Sequence, residues 1–190
     1  MHTIPIDSNW KEKARDFATR TVMSRMSKLR SRGQRNIEKI TKDVMAGTIA
    51  EFGVREMLLH TGDYTDISLP DLELYVGKQK SFKADLVGLS KTTGTQHIHV
   101  KSYSNPLWSS WVFTYNPDRG DVDPLIEQPS EQDYLALTYV NFVDNVVELK
   151  AFIRAGKVIN LYKPPILPQL KFSKLVLYSE DLKSLSLTLA

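Results

Sequence analysis

The sequence predicts an α+β fold: a mixed central β-sheet flanked by helices, with a helical segment at its N-terminus. Two observations predict it. Apolar residues recur at helical spacing through roughly the first third of the chain, and short runs rich in β-branched and aromatic residues then follow one another, separated by turn residues. At 190 residues the chain is long enough for one sizeable core. A basic helical segment, residues 1–42, is expected to lead into a core over 43–190, most simply within one compact domain.

The elements follow in order. Residues 10–29 read as a helix, with Phe17, Val22, Met26 and Leu29 at helical intervals and Asp7 or Ser8 as its cap. "SRGQRN" predicts a break at Gly33. From Ile37 to Leu58 the apolar spacing predicts a second long helix, or two shorter ones meeting near Gly47, ending at "HTGDY". Three strands, "DLELYV", "SFKADLVGL" and "HIHVKSY", predict a meander. The Pro-, Asn- and Ser-rich stretch after Tyr103 predicts a long excursion with a short strand at "WVFTY". "YLALTYVNFV" and "VVELKAFI" then form a strand pair around the turn "DNV". "KPPILPQL" is too rich in proline for a regular element, and "KLVLYS" and a short helix or turn at "EDLKSLSL" close the chain.

Composition excludes several classes. The chain has no cysteine, so disulfides, thiolate catalysis and zinc–thiolate sites drop out, and an intracellular, cytoplasmic setting is expected. No run approaches the roughly 18 apolar residues of a membrane span. No Gly-rich phosphate loop or G-x-S-x-G elbow is present. The net charge of +3 is small, but residues 11–42 carry most of the excess base. Arg25, Lys28, Arg30, Arg32 and Arg35 form a candidate phosphate-binding stretch whose grip would weaken with salt.

Alternation in "HIHVKSY" puts Ile98 and Val100 on one face and His97, His99, Lys101 and Tyr103 on the other, the first in the core and the second wet. If "FKADLVG" pairs with it, Asp85 lies near His99 and Lys101. An acid on one strand, with a metal ligand two residues before a lysine on the next, suits phosphodiester hydrolysis. A divalent ion polarises the phosphoryl oxygen and lowers the pKa of a bound water, and the lysine adds positive charge. The plainer reading of the same residues is a hairpin with a polar edge, and Trp111, Phe113 and Tyr115 read as core rather than as a base-stacking platform, with Trp108 and Trp111 the least secure.

With these residues in view, the chain resembles the PD-(D/E)XK nuclease superfamily over roughly residues 43–159. Its helix "MAGTIAEFGVREML" offers Glu51, "KADLVG" offers Asp85, "HVK" offers Lys101, and residues 133–159 look like the later strands of a restriction-endonuclease-like core. The resemblance implies a metal-dependent DNA endonuclease in which Asp85, Glu51 and His99 hold Mg²⁺ or Mn²⁺ and Lys101 positions the attacking water. It also implies DNA as partner, a homodimer for two-stranded cleavage, and a phage, mobile-element, restriction or repair setting. His99 departs from the pattern, for it stands where the family has an acid. Imidazole suits transition metals better than magnesium. Either the metal changes, with Asp71 or Glu73 as substitute acids, or the chain is a DNA-binding protein on a nuclease-like scaffold that no longer cleaves.

Overall fold

The computed structural model describes residues 2–31, 36–74, 83–107 and 109–184. Strand β1 (His2–Pro5) precedes helix α1 (Ser8–Ser24), whose N-cap Asp7 accepts a hydrogen bond from the Asn9 amide at 2.8 Å. The expected first helix is in fact two, because the chain turns at Arg25 before α2 (Met26–Ser31). The break expected at Gly33 lies outside the described residues.

Helix α3 (Ile37–His60) runs unbroken through Gly47, capped by the Asn36 side chain. It crosses the sheet closely at Gly53, where an added Cβ would stand 2.9 Å from the Val147 Cβ. Helix α1 lies along α3, with Trp10 stacked on Phe52 at 6.0 Å.

Strands β2 (Tyr64–Ile67), β3 (Leu86–Ser90) and β4 (Gly94–Tyr103) form the expected antiparallel meander, but its first strand is displaced. "YTDI", for which no strand was expected, is β2, whereas residues 71–74 of "DLELYV" are not strand and its last two lie outside the described residues. Gly94, at φ +75°, permits the tight turn between β3 and β4. Next come β5 (Ser110–Asn116), β6 (Asp121–Val122) and the short helix α4 (Pro124–Glu127). Strands β7 (Asp133–Asn141) and β8 (Val146–Arg154) are the expected hairpin, and β9 (Lys174–Tyr178) is followed by a 3₁₀ turn over Asp181–Ser184.

The main sheet has the order β1-β8-β7-β4-β3-β2. It is mixed, since β4 and β7 run parallel while its other pairs are antiparallel. A parallel pair needs a long crossover, and the segment from β5 to α4 supplies it. One face packs on α1 and α3 through Ile49, Val54, Leu86, Ile98 and Val147. The other is covered by the small sheet β6-β5-β9 and short helical turns, around Trp111, Phe113, Leu135, Leu137 and Leu177. Among the described residues no helix is long and apolar enough to cross a membrane.

Candidate active site

Strand β4 carries the site because it is central and because its side chains alternate. Leu135 lies beside His99 and Leu137 beside Lys101, so both polar residues project from the face opposite α3. The expectation that this face is wet holds for His97, whose side chain is 42% exposed, and fails at His99. The β5-β9 layer covers it, and His99 is only 8% exposed.

Asp85 sits immediately before β3, at the point where that strand leaves β4. Its amide donates to the Ile98 carbonyl at 3.0 Å, and its Oδ2 accepts from the Val100 amide at 2.7 Å. That amide is the next one along β4 after the ladder with β3 ends, so the carboxylate replaces a strand partner. Beside it, His99 Nε2 stands 3.4 Å from Asp133 Oδ1, and the same oxygen lies 3.5 Å from His97 Nδ1. Burial pushes the His99 imidazole below the usual histidine range. The Asp85 and Asp133 carboxylates pull it upward and Lys101 pushes it down, and burial prevails. For Asp133, burial acts upward, but hydrogen bonds from Ser130 and the neighbouring His99 leave its carboxyl below the usual range.

Lys101 Nζ lies 3.5 Å from Asp123 Oδ2 and 5.3 Å from the centroid of the Phe113 ring. Asp123 also caps α4, accepting from the Leu125 amide at 3.2 Å ahead of Pro124. The Tyr162 hydroxyl is buried without a hydrogen-bond partner; burial raises its pKa, and the Asp123 charge raises it further.

Glu51 belongs to helix α3, on the face of the sheet opposite His99 and Lys101, so the helix glutamate and the strand residues are not brought together. Helix α3 runs opposite to β4: Lys39, Asp43 and Ala46 share a groove with the residues from Lys101 to Asn105, while Met57 and Leu58 share a cavity with Gln96. Glu51 is half-buried, one turn before Arg55, whose Nε donates to the Ile67 carbonyl at the end of β2. It therefore stands on the β2–β3 side of the helix, at an intermediate level of β4. Arg25 and Arg30 are exposed, at the α1–α2 turn and on α2; Lys28 is also on α2. Arg32, Arg35 and Trp108 lie outside the described residues. Asp71 and Glu73 fall in irregular chain after β2, where the Glu73 amide donates to Asp71 at 2.9 Å.

Asp123 and Asp133 are the residues that sequence reasoning missed. "DVDPLIE" does carry a legible signal, an Asp cap followed by Pro at the first helical position. Asp133 has none, because only the register of the parallel β4–β7 pair sets it opposite His97.

Among the described residues no group of three or more His, Asp or Glu side chains is arranged to hold a metal ion. In kind, the donors nevertheless suit one. Burial keeps His99 neutral, and Asp133 facing Nε2 favours the tautomer that leaves Nδ1 with a lone pair, as in carboxylate–histidine–metal arrangements. Comparison of the chain with protein-family models, curated proteins and solved structures finds no match. What the site can do must therefore be argued from its own chemistry.

Proposed function

We propose that the protein is a metal-dependent endonuclease that hydrolyses DNA phosphodiester bonds, working inside the cell as a homodimer. One observation carries the reading: Asp85, just before β3, accepts at 2.7 Å from the amide of Val100, the residue between His99 and Lys101 on β4. Asp85 and His99 would hold a divalent ion. One imidazole beside a carboxylate favours Mn²⁺ over Mg²⁺. The ion would supply Lewis acidity to the scissile phosphate and a more acidic water.

The chain's own residues do the rest. Asp133 orients His99, burial holds the imidazole neutral, and Asp123 steadies the Lys101 ammonium where negative charge builds on phosphate. Exposed Arg25, at the α1–α2 turn, and Arg30, on α2, would engage the backbone. Supercoiled plasmid with Mn²⁺ should be nicked or linearised, and Asp85→Asn and Lys101→Met should each lower the rate by about 100-fold or more. Unchanged rates in both variants would sink the assignment.

A second reading rests on a different observation. Asp85 already serves the Val100 amide and Lys101 already pairs with Asp123, as in a scaffold whose site is structural. This DNA-binding protein would retain salt-sensitive binding and cleave with none of Mg²⁺, Mn²⁺ or Co²⁺.

A further inference from the structure

At the opposite end of β4, on the helix-bearing face, lies a cavity of about 280 Å³ that the nuclease reading does not use. It is divided in two. Met57, Leu58, Leu149 and Phe152 form an apolar wall, and Tyr64, Gln96, Thr93, Ser90 and Asp63 form a polar one. The polar side chains are already fixed. The Tyr64 hydroxyl donates to Gln96 Oε1 at 2.6 Å, Gln96 Nε2 donates to Thr93 Oγ1 at 2.6 Å, and Ser90 Oγ accepts from the Thr92 and Thr93 amides at 3.3 Å. Such a row of oriented acceptors and donors beside a flat apolar wall is the construction of a small-molecule pocket.

Charge and size narrow the occupant. No lysine or arginine lines the cavity among the described residues; Asp63, His2 and Tyr64 are its ionisable lining groups there. Among the described residues a phosphate therefore meets no lysine or arginine there. The carboxylate of Asp63 and the carboxamide oxygen of Gln96 call for N–H donors, and Met57 and Phe152 for a planar apolar surface. The volume lies just below the ~300 Å³ at which drug-sized ligand pockets begin. This suits a nucleobase, with or without its sugar, and excludes a dinucleotide.

We propose that this cavity binds an amino-bearing nucleobase, adenine, cytosine or guanine, with the ring on the Met57–Phe152 wall and the exocyclic amine towards Asp63. The base reaches it either as a free nucleoside or as an unstacked base of a strand, and neither route depends on cleavage.

Calorimetry and thermal shift with deoxyadenosine, deoxycytidine, deoxyguanosine and thymidine test this on the full chain. At least one amino-bearing nucleoside should bind and raise Tm, with thymidine weakest. Asp63 is exposed, so Asp63→Asn should leave the ligand-free Tm unchanged and weaken binding by about tenfold. Tyr64→Phe should weaken it too, and if that variant loses stability, Asp63→Asn alone decides. An oligonucleotide duplex with one unpaired base of the kind that binds tightest, if it displaces the nucleoside, identifies the strand as the source; if it leaves binding untouched, it identifies the free nucleoside. No binding by any of the four, tightest binding by thymidine, or undiminished binding by Asp63→Asn overturns the proposal.

Discussion

The two faces of the six-stranded sheet are built on different terms. Against α3, the sheet meets Ala46, Ile49, Ala50, Gly53 and Val54, small and aliphatic residues that let helix and strand approach until little but side-chain methyl groups lies between them. The other face holds an equally dry cluster around Trp111 and Phe113, yet the same β4 strand also places His99 there and brings Lys101 against Asp123. A central strand covered on both faces keeps little of its length wet. Its alternation therefore puts polar residues under cover, where each must find a partner or change its protonation. The helix face holds the fold, and the β5–β9 face holds His99, Lys101 and their carboxylate partners.

Substitutions can break this contrast. The largest expected effect is on the second face: Trp111, 1% exposed, fills it and donates from Nε1 to the Thr138 carbonyl at 3.0 Å. Trp111→Ala should cost about 3–5 kcal/mol in a denaturant titration. On the helix face, Gly53→Ala drives a methyl into Val147 and should cost about 1–3 kcal/mol by the same measurement. A loss there as large as that of Trp111→Ala would make the two faces equal in strain. Asp85→Ala strips the Val100 amide of its acceptor and should cost about 1–3 kcal/mol even in a protein that never meets DNA.

The titratable face should also declare itself through pH. His99 has a folded pKa below its unfolded one, so in acid the unfolded chain binds a proton that the folded chain refuses. Stability should therefore fall as pH drops below about 6.5, and His99→Asn should flatten that limb. Asp133 is lowered too, and its contribution is lost only further down, as pH falls below about 4. An acid limb unchanged by His99→Asn would assign the effect elsewhere. The smallest effect is at the end of α1: Asp7→Ala should cost about 1 kcal/mol.

Much of this was legible because it is local. Period-two alternation in "HIHVKSY" put His97, His99 and Lys101 on one face, and the β7–β8 hairpin and α3 announce themselves by spacing and turns. What escaped is what depends on distant chain. β2 was hidden because "YTDI" is short and abuts a helix end, while "DLELYV" carries the stronger strand propensity. β1 is four residues that pair with β8 from the far end of the sequence. The dryness of the His99 face comes from a layer the sequence displays only as a loop with aromatic residues, and Asp133 enters through a parallel register that no short window encodes.

The parallel junction of β4 with β7 also sets an order in time. The Asp85–Val100 bond spans 15 residues, whereas His99 meets Asp133 across 34. Closing the shorter loop loses less chain entropy. A nascent chain can therefore complete the meander and seat Asp85 while His99 still faces water, ionising like any free histidine. When β7 docks the imidazole gains its carboxylate, and when the more widely separated β5–β9 pair forms over it the imidazole loses its solvent, so the long-range pairings are the ones that switch the site's protonation.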